Sequence, residues 1–206
     1  MMMNSILNDL DKMISDPHCE LIYSKDYELL IATVLSAQTT DKKVNEVSKV
    51  LWNKYDLNSL CNASISDLEN ILMILGTQKK KAIYIKEIAR RLVSECNGVV
   101  PNDRQYLETL PGVGRKTCNV VLSNLYNEPL FAVDTHVERV SKRLGIADKN
   151  DSVLVVEEKL NKLVKENERL RRHHQFVLFG RYICLAKNPK CDDCLLKNKC
   201  LYYQSK

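Results

Sequence analysis

Ten stretches of this chain carry apolar residues at helical spacing, and no stretch of useful length alternates as a strand does. The helical patterns lie near residues 5–14, 26–36, 41–54, 66–74, 80–96, 103–110, 115–126, 135–144, 152–166 and 171–183. Breaks fall between them at Pro17, Gly76, Gly98 with Pro101, Pro111 with Gly112, Pro129, Gly145 and Pro189. The reading is an all-α protein. Its 206 residues can bury one large core or two small ones. There is no repeat, low-complexity tract or long linker, so any domain division must be one of packing. With 45% apolar and 28% charged residues the composition is globular, and no apolar run approaches the length of a bilayer span, which predicts an intracellular protein.

Within this helical background, Leu110-Pro111-Gly112-Val113-Gly114-Arg115-Lys116 is a glycine turn opening a helix. Pro111 and Gly112 suit the second and third positions of a type II turn, where proline presets φ and glycine accepts φ > 0. Gly114 lets backbone approach a ligand closely. Cys118, Val121, Leu122 and Leu125 then recur at i, i+3, i+4 and i+7, the buried face of an amphipathic helix. A shorter helix, 103–110, precedes the turn. This helix, hairpin, helix aims unpaired N–H groups and a positive dipole end at whatever anion sits above it. Alone, the pattern is also that of an ordinary interhelical loop with a solvated lysine.

Cys19, Cys61, Cys96 and Cys118 are scattered and read as small buried apolar residues. Cys184, Cys191, Cys194 and Cys200 instead crowd into 17 residues with the spacing C-x6-C-x2-C-x5-C. Four thiols so close in a helical protein point to metal rather than disulfides. Tetrahedral zinc and a four-iron cluster both accept four thiolates. Structural zinc usually takes two C-x2-C knuckles and this stretch has one, which favours iron–sulfur. Lys187 and Lys190 lie in the first loop and could offset the charge of a thiolate-bound metal while facing a partner.

Charge is unevenly placed. From Arg171 onward eight basic residues face only Asp192 and Asp193, giving +6 and leaving −1 on the rest of a chain whose total is +5. A cationic tail on a near-neutral body predicts a polyanionic partner.

Phe131-Ala132-Val133 delivers Asp134 to the start of a helix continued by Val137, Val140 and Leu144. Aspartate fills the N-cap position well, and a capping carboxylate is rigidly aimed. With Ser36-Ala37-Gln38-Thr39-Thr40-Asp41, the hairpin, Val133-Asp134-Thr135-His136 and the four cysteines in this order, the chain closely resembles the endonuclease III family of bifunctional DNA glycosylases. The likeness covers essentially the whole chain. It implies two helical domains flanking a DNA-binding cleft: a six-helix domain with the helix-hairpin-helix motif, 19–128, and an iron–sulfur domain built from 1–18 and 129–206. It further implies Lys116 as the catalytic amine and Asp134 as the catalytic carboxylate. Cys184, Cys191, Cys194 and Cys200 become the ligands of a [4Fe-4S] cluster, and Gln38 the wedge that fills the gap left by an extruded nucleotide. Gly112, Gly114, Lys187 and Lys190 would contact DNA. The implied partner is duplex DNA containing oxidised pyrimidines or abasic sites, bound by a monomer.

The chemistry is coherent with these residue types. A damaged base must leave the stack to be attacked, and damage lowers the cost of doing so. Lys116 attacks C1′, the base leaves, and the resulting iminium acidifies C2′ so that the 3′ phosphate is lost by β-elimination. Free lysine, with a pKa near 10.4, is protonated at neutral pH, and a helix N-terminus offsets only about 0.3–1 kcal/mol, so removal of water must do most of the activation. Asp134 works against a neutral amine if paired with it. Its better role is to stabilise positive charge on the sugar or to relay protons through water.

Two departures stand out. After Gly76 the family generally has an apolar or aromatic residue, whereas this chain has Thr77-Gln78-Lys79-Lys80-Lys81, three lysines that could add phosphate contacts instead. Cys118 stands where alanine is usual and should pack without consequence. Rival readings are an adenine-mismatch glycosylase, which lacks the lysine at position 116 and carries an extra C-terminal domain, and a non-catalytic zinc-containing DNA-binding module. His173 and His174, a polar pair at a helix start, are read as solvated or structural.

Overall fold

A computed structural model describes residues 2–205, in which every regular element is helical. In chain order these are α1 (Met2–Met13), α2 (Asp26–Leu35), α3 (Asp41–Lys54), α4 (Leu57–Asn62), α5 (Ile65–Ile71), α6 (Gln78–Cys96), α7 (Arg104–Glu108), α8 (Arg115–Tyr126), α9 (Thr135–Arg143), α10 (Val153–Leu163), α11 (Arg169–Tyr182) and α12 (Leu201–Gln204). Short 3₁₀ turns fill Met73–Leu75, Glu166–Glu168 and Lys197–Lys199. No described helix is long and apolar enough to cross a membrane. The chain divides into two compact units. One runs from Cys19 to Tyr126; the other joins the segment ending at His18 to everything from Asn127 onward.

In the first unit α2 is buried on all sides, from Tyr27 to Leu35, because its sequence is apolar all round rather than striped. It packs on α3, α6 and α8, while α4 and α5 lie against α6. Striped helices close around it: Val44, Val47 and Leu51 of α3, then Ala82, Ile85, Ile88, Ala89 and Leu92 of α6, turn inward. The termini carry their own stops. Thr40, Asp56, Ser64 and Asp103 cap α3, α4, α5 and α7 by accepting a backbone N–H three residues on. α4 and α12 escape the periodicity reading because they are only six and four residues long.

The second unit has a core of Ile6, Leu10, Phe131, Val137, Val140, Phe176 and Phe179, with α11 packed on α9 and α1. The Phe131 and Phe176 rings meet edge to face at 5.7 Å. α1 is pinned to α11 by Asp11, whose Oδ1 accepts from Arg172 at 2.7 Å, from Gln175 at 2.8 Å and from Arg171. Burial alone would raise the Asp11 carboxyl, but the Arg172, Arg171 and Gln175 hydrogen bonds overcome it and hold it at about 2. Arg171 and Arg172 of the cationic tail are therefore engaged internally, and Lys199 joins Asp9 and Ser5 of α1. The outward charge of this segment is smaller than the sequence count implies.

Candidate active site and cysteine centre

The hairpin is built as its residues dictate. Val113 N–H donates to Leu110 O at 3.1 Å, closing a turn with Pro111 second and Gly112 third, and Gly112 has φ +79°. A Cβ there would lie 2.8 Å from Tyr84 Cδ2 and 2.9 Å from Val34 Cγ1, so the backbone is pressed onto α6 and α2. Gly114 is different: a Cβ there meets nothing within 4 Å. Neither glycine's N–H reaches a protein acceptor among the described residues. Arg104 locks the two hairpin helices together, donating to Glu108 Oε1 at 2.9 Å and to Asn119 Oδ1 at 2.6 Å. Lys116 stands exposed on the first turn of α8.

Two loops of the same unit hold strained residues. Gln38, between α2 and α3, is exposed with φ +58°, and Thr77, before α6, has φ +50°. For non-glycine residues, and above all β-branched Thr77, this region is sparsely populated and is tolerated only where surroundings enforce it. Of the three lysines that follow, Lys79 and Lys80 are exposed as expected, but Lys81 is not. It is 4% exposed and donates to Ala37 O and Leu75 O, both at 3.1 Å. Its position on the α6 face of Ile85 and Ile88 turns it inward, away from any phosphate.

In the other unit Asp134 is the N-cap of α9, with Oδ1 accepting from His136 N at 2.8 Å and Val137 N at 2.9 Å. Both bonds use one oxygen, and Oδ2 of this half-buried carboxylate meets no donor among the described residues. The cap thus leaves one oxygen available for chemistry.

The four cysteines line one recess of about 350 Å³ that opens to solvent, together with Leu144, Phe179, Ile183, Leu196, Tyr202 and Tyr203. Burial pushes the Cys184 and Cys194 thiols up, at Cys184 against the hydrogen bond from Arg143. Arg143 Nη1 lies 3.3 Å from Cys184 Sγ and 2.7 Å from Leu185 O, Nη2 lies 3.1 Å from Ala186 O, and the guanidinium stacks 4.2 Å from the Tyr202 ring. One turn earlier Arg139 donates to Cys184 O at 3.1 Å and Gly180 O at 2.7 Å. These two arginines, unassigned by the sequence reading, fix the first cysteine loop to the helix that Asp134 caps. Their only sequence signal is the i, i+4 spacing, which shows a shared face but not a loop more than 40 residues away. Lys187 and Lys190 are exposed in that loop. Among the described residues no three His, Cys, Asp or Glu side chains close on a single ion.

His173 and His174 are 4% and 8% exposed, so of the two sequence readings the structural one holds and the solvated one fails. His173 meets Phe131 edge-on at 5.8 Å.

Comparison with known proteins agrees with this geometry. Residues 31–166 match the family described as "HhH-GPD superfamily base excision DNA repair protein". Endonuclease III of Bacillus subtilis (strain 168) is 42% identical over 94% of this chain and 89% of its own length. The chain belongs to the endonuclease III family. Endonuclease III of Rickettsia felis is likewise 42% identical, over 98% of this chain and 95% of its own. Among solved structures, a non-covalent endonuclease III–DNA complex is similar at TM-score 0.94 and 44% identity, covering 98% of this chain and 95% of that one. A trapped endonuclease III–DNA covalent intermediate gives 0.93 at 44% identity, covering 98% and 97%. As a family member the protein is a base-excision repair enzyme, a bifunctional DNA glycosylase and abasic-site lyase. The adenine-mismatch and binding-only zinc readings are not favoured, since the full-length relatives are endonuclease III proteins.

Proposed function

We propose that this enzyme excises oxidised pyrimidines from duplex DNA as a monomer, with Lys116 as nucleophile and Asp134 as the carboxylate that stabilises positive charge on the sugar. The observation that carries the reading is the hairpin itself. An amine stands on the first turn of a helix whose preceding glycine has open space around it and a free N–H. A phosphate seated on Gly112 and Gly114 N–H groups sets the DNA in register without reading sequence. Gln38, held in the left-handed region on an exposed loop, fills the place of the extruded nucleotide. Lys116 Nζ attacks C1′ as the glycosidic bond to the base breaks. Proton loss from C2′ then expels the 3′ phosphate oxygen, and water returns the amine. Because Lys116 is exposed in the free protein, bound DNA must exclude the water around it. Asp134 contributes through its uncapped oxygen.

The cysteine centre fits a [4Fe-4S] cluster by its donor set. Four thiols, two of them disfavoured as buried anions, surround an apolar recess and would bind a cationic metal core as thiolates, their protons released to solvent. A cavity among thiols suits a polynuclear cluster better than one tetrahedral zinc, whose ligands converge on a point about 2.3 Å from each sulfur. Cys184, Cys191, Cys194 and Cys200 would hold the cluster, whose role would be structural: with all four bound to one group, the loop carrying the exposed Lys187 and Lys190 would keep one shape beside a DNA backbone.

The test is borohydride trapping on a thymine-glycol duplex. Wild type forms a covalent adduct. Lys116→Gln abolishes base release, strand cleavage and trapping, while Asp134→Asn slows both chemical steps and spares binding. A Lys116→Gln protein that still cleaved and trapped DNA would exclude the assignment.

A further inference from the structure

The buried ammonium of Lys81 is the least explained charge in the 19–126 unit. Burying a cation is unfavourable unless it is well paired, and among the described residues Lys81 meets no carboxylate. Burial correspondingly lowers its proton affinity. A leucine or methionine on this face of α6, beside Ile85 and Ile88, would serve packing more cheaply. What the amine does reach is two backbone carbonyls from separate loops, Ala37 O and Leu75 O, each at 3.1 Å. Ala37 immediately precedes Gln38, and Leu75 lies two residues before Thr77, so the two acceptors flank the two strained residues already described. Lys81 also accepts its place from the second loop, its own N–H donating to Thr77 O at 3.1 Å. One turn further along α6, Tyr84 bears on the turn at Gly112. A single turn of α6 therefore braces the Gln38 loop, the Leu75–Thr77 loop and the hairpin.

We propose that Lys81 is a positioning residue for nucleotide extrusion, its side chain tying the Gln38 loop to the Leu75–Thr77 loop so that Gln38 meets the duplex in a fixed place. This rests on the reading of Gln38 as the residue that fills the vacated space. Residues in the left-handed region persist only when their surroundings over-determine them, and the paired carbonyl bonds from one ammonium are such a constraint. The run of three lysines then divides: Lys79 and Lys80 face solvent, and Lys81 sets the shape of the loops beside them.

The test is a double-mutant cycle on the full-length, cluster-loaded protein with Lys81→Met and Gln38→Ala. Each variant is measured by single-turnover excision from a thymine-glycol duplex and by borohydride trapping on single-stranded abasic DNA, where nothing has to be extruded. Lys81→Met should slow duplex excision by roughly tenfold or more, the scale of a misplaced positioning group, with single-strand trapping within about twofold of wild type. Because Lys81 acts through Gln38, the double variant should be no slower than the slower single variant, within about twofold. Lys81→Gln keeps a donor of shorter reach and should fall between wild type and Lys81→Met. If Lys81→Met does not fold, the cycle is run with Lys81→Gln. Equal losses on both substrates, an unaffected duplex rate, or multiplying defects with Gln38→Ala would each overturn the proposal. A Gln38→Ala protein with normal excision would instead remove the reading beneath it.

Discussion

The two hairpin glycines should fail in opposite ways when each is given a methyl group. At Gly112 alanine must adopt φ near +79°, which costs about 1–2 kcal/mol for an L-residue, and its Cβ would sit 2.8 and 2.9 Å from Tyr84 and Val34. Relieving that overlap costs about 1–3 kcal/mol more. Gly112→Ala should therefore lose about 2–5 kcal/mol, a large part of the roughly 5–15 kcal/mol that holds a domain together. At Gly114 φ is not left-handed and the methyl meets nothing within 4 Å, so the change in stability should stay within about 0.5 kcal/mol. The methyl would, however, occupy the space through which a phosphate reaches the N–H. Losing one charge-assisted hydrogen bond, about 1.5–3 kcal/mol, corresponds to about ten- to 150-fold weaker binding. The assay is paired: denaturant unfolding for stability, and fluorescence anisotropy at one fixed salt concentration on a duplex with an uncleavable abasic analogue. Unchanged DNA affinity in Gly114→Ala would refute the phosphate-seat argument. A fully stable Gly112→Ala would refute the turn argument.

Three further outcomes are expected. Arg143→Ala removes the cation beside Cys184 and two carbonyl anchors of the first cysteine loop, so purified protein should carry less iron and sulfide per chain and less visible absorbance, with helix content retained. Burial, and secondarily the charge of His18, lowers His174 to about 4. A depressed histidine confers stability that is complete above its ordinary value of 6.5 and is lost as pH falls toward 4, so unfolding free energy should decline across that window and His174→Gln should flatten the decline. Replacing both Lys79 and Lys80 with alanine should reduce the salt slope of DNA binding by about 2, and an unchanged slope would place neither of them at a phosphate.

Local chemistry in this chain was legible wherever a motif carries its own geometry. The turn at Pro111-Gly112, the cap at Asp134 and the helix 115–126 follow from proline's fixed φ, glycine's positive φ, a carboxylate's reach to N–H groups and 3.6-residue spacing. What was hidden depended on contacts distant in sequence. The 66–74 pattern splits into α5 and a 3₁₀ turn because the helix ends at Leu72, and α4 was missed because only Leu57 and Leu60 mark its buried side. Its better signal was the reciprocal cap between Asp56 and Ser59. Lys81 lies at i, i+4 and i+7 with Ile85 and Ile88, a spacing that marks it as inward-facing, whereas the reading of three lysines as phosphate contacts rested on their charge alone. Arg171 and Arg172 add to the tail's charge by composition, yet both bond to Asp11, some 160 residues away in sequence.

The bond network from Asp11 to Arg171, Arg172 and Gln175 has a consequence for biogenesis. The stretch from Cys19 to Tyr126 is one contiguous compact unit, so it can fold as it leaves the ribosome. Asp11 of α1 meets Arg172 of α11 across 161 residues of chain, and Asp9 meets Lys199 across 190. Closure of that half is a late, long-range event of the kind that slows folding. Until α11 is made, Asp11 lacks the Arg172 and Gln175 donors that pin α1 in place.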